Sequence, residues 1–186
     1  MIMKKMRAVI ASLLVCATLI SFAGCARVKL IDDEDIFFDA LDNAAGIDED
    51  ETAHAKSTTF NGDKAEYVIQ AKDGDNTYTY VRFKKADDAI EYFEDAYDSF
   101  NDAVKDKEFE GSHSMAISKK SGWITFNGDI EKGSRVGTKY LSSDSEIFGG
   151  VYLNQNVYIE VYSIEGSKRD KEKISAFVKE LGFPKP

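Results

Sequence analysis

The chain has 186 residues, with 24 Lys or Arg against 33 Asp or Glu and a formal net charge of −9 at pH 7. That length suits one domain around a single core, and so acidic a body repels phosphate backbones and anionic headgroups, which excludes nucleic acid as a partner. Both cysteines, Cys16 and Cys25, fall in the first 25 residues, so the body of the chain has no disulfide framework.

In chain order, Lys4, Lys5 and Arg7 make a basic start, Ala8 to Ile20 follows without a charge, and Phe22-Ala23-Gly24-Cys25 closes the stretch with small residues before a cysteine. A charged start, a short apolar run and a small-residue cleavage site describe an export signal. Ala8 to Ala23 falls short of the ~20 residues that span a bilayer core. The segment resembles a bacterial lipoprotein signal peptide: Ala23, Gly24 and Cys25 match the lipobox, and Phe22 stands where leucine is usual. The resemblance implies that residues 1–24 are removed, that Cys25 is the lipid attachment site, and that the protein is anchored in a bacterial membrane, facing outside the cytoplasm. Lipidation also gives a role to the one cysteine that an exported protein would otherwise leave unpaired. Removing residues 1–24 takes away three bases and no acid, so 21 bases and 33 acids remain, a net charge of −12. Residues 25–30 are the lipidated cysteine and a tether; five residues reach at most ~18 Å, which holds the domain, residues 31–186, close to the membrane.

In that domain, Asp32 to Asp35 start a helix, since acids favour the positive N-terminal end. Ile36, Phe37, Ala40, Leu41 and Ala44 form its stripe, Gly46 stops it, and Asp48 to Glu51 is an acidic loop. Ala65–Lys72 and Asn76–Lys84 read as strands around the hairpin cue Asp73-Gly74-Asp75. Lys85 to Lys105 is an amphipathic helix, with Ala89, Phe93, Ala96, Phe100 and Val104 on one side and Asp87, Asp88, Glu91, Glu94, Asp95, Asp98 and Asp102 on the other. Short strands follow at Met115–Lys119, Trp123–Asn127, Val136–Leu141, Ile147–Leu153 and Val157–Ser163, the last two joined by Asn154-Gln155-Asn156. Ser167 and Asp170 stand at capping-box spacing before a helix with Ile174, Phe177, Val178 and Leu181 in its stripe, ending at Gly182. The connections are too short for parallel crossovers. The expected fold is therefore α+β, an antiparallel sheet with helices packed mainly on one face. Strand, turn, strand, helix occurs twice, over Tyr67–Phe100 and Phe148–Phe183, a loose ββα repeat that common ββα grammar explains without duplication.

Catalytic signatures are missing from the sequence: no G-x-S-x-G, no S-x-x-K, no phosphate loop, no H-E-x-x-H. His54 and His113 stand far apart in polar, loop-like contexts and supply too few ligands for zinc. Asp73-Gly74-Asp75-Asn76-Thr77 begins like a calcium loop, but Tyr78 and Lys84 replace the expected Gly and Glu. Some pair among 33 acids will lie at glycosidase spacing by chance, and nothing singles one out. We therefore expect no enzyme, no metal and no cofactor beyond the covalent lipid on Cys25. Tyr158 and Tyr162 alternate with Val157, Ile159 and Val161 and so share the opposite face of their strand. If that side of the sheet is open, Tyr78, Tyr80, Trp123, Tyr158 and Tyr162 are candidate partner-facing aromatics; if both sides are covered, they are packing. The expected function is that of a lipid-anchored, extracytoplasmic interaction module that binds an unknown protein or ligand. Beyond the signal the element order loosely resembles small bacterial lipoproteins of unknown function. One alternative is a small-molecule or metal-binding lipoprotein, marked by a deep pocket lined by strand aromatics. The other is a carboxylate-dependent hydrolase, marked by two carboxylates converging in a cleft.

Overall fold

The structure, a computed structural model, describes Ile31 and residues 33–186. The expected signal segment, Cys25 and the expected tether lie outside the described residues. Helix α1 (Glu34–Ala45) begins where the acidic run predicts: Asp33 accepts from the Asp35 N–H, and Gly46 closes it at a φ of 69°, left-handed backbone that glycine adopts without a Cβ penalty. Strands β1 (Ala53–Phe60), β2 (Asp63–Asp73) and β3 (Asn76–Phe83) follow, then α2 (Ala86–Lys105), β4 (Phe109–Ile117) and β5 (Ser121–Ile130). A small hairpin of β6 (Arg135–Val136) and β7 (Lys139–Tyr140) precedes β8 (Ser145–Asn154), β9 (Val157–Ile164) and α3 (Lys168–Glu180). The reciprocal Ser167–Asp170 capping box forms at the start of α3.

The long strands form one antiparallel sheet in the order β1-β2-β3-β9-β8-β5-β4. It consists of two meanders, β1-β2-β3 and β4-β5-β8-β9, joined where β3 meets β9. The fold is α+β with an antiparallel sheet, as the short connections require. Helices α1 and α3 share one face, where Phe37, Leu41, Ile174 and Phe177 pack on Ile69, Tyr78, Tyr80, Ile159 and Val161. Two of the three described helices share a face, as expected, while α2 lies on the opposite one, with Ala89, Phe93 and Phe100 against Val81, Ile124, Phe126, Val151 and Tyr158. The helices are thus not confined to one side, and the central strands are buried on both. Strand β8, buried at nearly every position, shows why: its Ile147, Val151 and Leu153 form a second apolar face that needs its own cover.

The two ββα stretches therefore differ. The rotation that carries β2-β3 onto β8-β9 preserves the sheet's faces, whereas α2 and α3 lie on opposite ones. Three local expectations also change. Val136–Leu141 is not one strand but the β6–β7 hairpin, because Gly137 turns the chain at a φ of 57°. Strand β1, which alternation does not reveal, pairs with β2. His54 and His113 sit on β1 and β4, not in loops.

Candidate functional site

The five aromatics proposed as partner-facing are mostly interior. Tyr78 and Tyr80 are buried beneath α1 and α3, against Phe177 and Phe37 at 5.0 and 5.3 Å between ring centroids. Tyr158 and Tyr162 do share the face opposite Val157, Ile159 and Val161, but α2 covers it and both rings are buried. Trp123 keeps partial exposure and donates its indole N–H to Ser114 Oγ at 3.3 Å. Covering both faces is what buries them, so the tyrosine face is packing, not a docking surface.

The same alternation on β9 carries a residue that the sequence reading passed over. Glu160 lies between Tyr158 and Tyr162 on the face toward α2 and is 3% exposed. A carboxylate there survives only if its lone pairs are used. They are. The Thr138 N–H and the Tyr158 hydroxyl donate to Oε2 at 2.8 and 2.9 Å, and the Thr138 hydroxyl donates to Oε1 at 2.8 Å. Thr79, its cross-strand partner on β3, brings a further hydroxyl to the same carboxyl. Burial pushes the Glu160 carboxyl above its ordinary value, and the bonds from Thr138, Tyr158 and Thr79 act against that rise. Burial, reinforced by the neighbouring Glu160, also raises the Tyr158 phenol far above its usual range.

These bonds clamp the β6–β7 hairpin onto the sheet. Gly137 is required in its turn twice over: its φ is left-handed, and a Cβ would run into Glu160 Oε2. Above the clamp lies a hollow of about 290 Å³ lined by Asn61, Asp63, Glu91, Tyr92, Asp95, Arg135, Thr138 and Tyr140. Arg135 donates from Nε to the Gly137 carbonyl at 2.7 Å, lies 3.9 Å from Asp95, and sits over the Tyr140 ring at 5.9 Å. The Tyr92 hydroxyl donates between the Phe60 carbonyl and Asp63 at 2.9 and 3.1 Å, and burial together with Asp63 pushes it up to about 12. Tyr140 is 70% exposed at the rim. Three carboxylates against one arginine leave the hollow net negative, and an exposed ring beside it suits the stem and cation of a basic side chain.

Larger hollows, of about 510 and 380 Å³, lie along the β1–β2 ribbon and are lined by residues such as Lys64, Thr58 and His54 rather than by the strand aromatics. Among the described residues no three His, Cys, Asp or Glu side chains converge as a cation cage, and no helix is long and apolar enough to cross a membrane. Glu160 had a signal in the sequence, as the one charge inside the run Val157-Tyr158-Ile159-Glu160-Val161-Tyr162. Its partner Thr138 had none, because only the fold brings the hairpin there. No family model, curated protein or solved structure matches the chain.

Proposed function

We propose that the chain is a lipid-anchored domain on the outer face of a bacterial membrane that works by binding a partner, and that the partner places a basic side chain in the hollow beside Tyr140. The lipobox-like run ending at Cys25 supports the anchor. One observation carries the binding reading: the most exposed large ring among the described residues, Tyr140, stands on a hairpin pinned to the core by Glu160. A rigid, exposed aromatic beside carboxylates loses little entropy on contact and makes a good anchor point. The net charge of −12 after processing adds attraction for a basic partner. The hydrolase alternative gains no support from Glu160, whose oxygens already accept three internal hydrogen bonds.

The test is photocrosslinking in living bacteria with a photoreactive residue at position 140 of the full chain, and the same residue at exposed Glu172 on α3 as control. A discrete adduct at 140, absent at 172 and lost when Glu91 and Asp95 are changed to Lys, is the expected result. No adduct, or one indifferent to the charge reversal, refutes the proposed contact. Mass spectrometry of the same membranes reads the lipid on Cys25 separately.

A further inference from the structure

Among the described residues the sheet has two edges that no further strand covers, β1 and β4, and they are built differently. An open edge is a template for another strand, and proteins block it with bulges and lysines. Edge β1 is blocked in this way. Lys56 stands on it, Ser57 takes a φ of 51° where the ladder is interrupted, and β2 is irregular beside it, between Ala65 and Tyr67. Edge β4 has neither device. It pairs with β5 residue for residue from Phe109 to Ile117, and no lysine, proline or bulge occurs within it.

The hydrogen-bond phase of β4 is known at both ends. The Glu131 N–H donates to the Glu108 carbonyl, and the Ser118 N–H donates to the Ser121 carbonyl. Even-numbered residues therefore bond to β5, and Phe109, Gly111, His113, Met115 and Ile117 turn their N–H and C=O groups outward. We propose that this edge binds a second copy of the chain, β4 against β4 antiparallel, with His113 on the two-fold axis.

The sequence of β4 is self-complementary in that register. Phe109 meets Ile117, Gly111 meets Met115, Ser112 meets Ser114 and Glu110 meets Ala116, so no carboxylate faces a carboxylate within the strand. All five outward residues pair, for about ten new backbone hydrogen bonds. Ile117, 41% exposed in the single chain, is covered by the second copy's Phe109. Charge agrees as well. Asp106, Glu108 and Glu110 outweigh Lys107 at one end of β4, and Lys119 and Lys120 follow the other; the two-fold sets each acidic end against a basic one. An axis perpendicular to the sheet keeps both α1 faces on the same side. Ile31, at the start of the described chain, is buried on that face, so the two copies of Ile31 lie on the same side of the joined sheet, an arrangement compatible with two tethers in one membrane. A single strand seam buries less than a standard interface, so confinement in a membrane, which rests on the lipid-anchor reading, is what raises its occupancy.

The test uses the full chain in bacterial membranes and, at high protein concentration, in detergent micelles. His113→Cys is treated with a short thiol-to-thiol crosslinker, with the parent chain and Ser57→Cys on β1 as controls. Because His113 touches Phe100 and Phe109, a second pair, Ser112→Cys co-expressed with Ser114→Cys, uses side chains exposed in the single chain. Expected is a product of twice the chain mass from both β4 designs and none from the controls. Adding Ser112→Lys to the His113→Cys chain together with Ser114→Lys, which sets lysine opposite lysine, should cut the yield at least about tenfold. No product of that mass from either design in micelles or membranes overturns the proposal, as does a yield indifferent to the lysines. A product of another mass assigns the edge to a different protein. Product in micelles but not in membranes would leave the edge pairing standing and count against the shared anchor.

Discussion

Replacing Glu160 separates what its shape does from what its charge does. In Glu160→Ala the Thr138 N–H cannot turn elsewhere, and an orphaned buried donor costs ~1–3 kcal/mol. The buried Tyr158 hydroxyl adds a similar loss, while removal of a carboxyl that burial disfavours returns part of it. The net destabilisation should be about 3 kcal/mol, a large share of a typical domain's stability. Glu160→Gln keeps an oxygen for the Thr138 N–H and Tyr158, and its amide N–H groups can donate to the Thr138 and Thr79 hydroxyls, which rotate to accept. It should match the parent to within ~1 kcal/mol at neutral pH.

The pH dependence has a definite sign. The folded carboxyl is raised above its unfolded value. Its contribution is therefore most favourable below the ordinary carboxylate value and is lost as pH rises through the raised one. The parent should lose stability relative to Glu160→Gln as pH increases across that window. Urea titrations of residues 26–186, from roughly pH 4 to pH 8, give the difference directly. A glutamine variant as unstable as alanine, with the parent gaining on it as pH rises, would mean that the carboxylate is held as a favoured ion and would refute the reasoning.

Gly137→Ala should cost about 2–4 kcal/mol, because strain at positive φ adds to the clash with Glu160, whereas Gly133→Ala, with open space around it, should cost only the ~1–2 kcal/mol of backbone strain; chemical denaturation compares the two. Phe93→Ala and Phe100→Ala, at the centre of the α2 interface, should each cost about 3–5 kcal/mol, and exposed Asp95→Ala less than ~0.5 kcal/mol; a harmless Phe93→Ala would contradict the packing of α2. Burial pushes the Glu34 carboxyl up, but its backbone hydrogen bond and Arg82, 2.7 Å away, together hold it below the usual value. Glu34→Gln should therefore flatten part of the stability loss seen on acidification below the ordinary carboxylate range, measured by melting temperature against pH. Cys25→Ser should abolish acylation and processing at that site, read by mass spectrometry of the membrane fraction.

Local rules carried much of this protein. The acidic start of α1, the caps at Gly46 and Ser167, the stripe of α2, and the turns after Asp73 and Asn154 could all be placed from residues within a few positions of one another, because capping, helical periodicity and tight turns are short-range physics. Alternation on β9 correctly put Tyr158 and Tyr162 on one face, but it could not say what lies above that face. That depended on helices covering both faces, α1 and α3 over Tyr78 and Tyr80 and α2 over Tyr158 and Tyr162, which turned five candidate contact aromatics into four buried rings and the partly exposed Trp123. The edge strand β1 escaped notice because an exposed strand has little apolar alternation to betray it. Glu160 stood out as a charge in an apolar run, yet two of its three donors come from Thr138, on a hairpin that only the folded chain brings to β9. Sequence alone determined most of the elements, β1 and the β6–β7 hairpin excepted, and the acidic character of the chain; the tertiary structure decided which faces are buried, since burial is a property of what packs against a residue and not of the residue itself.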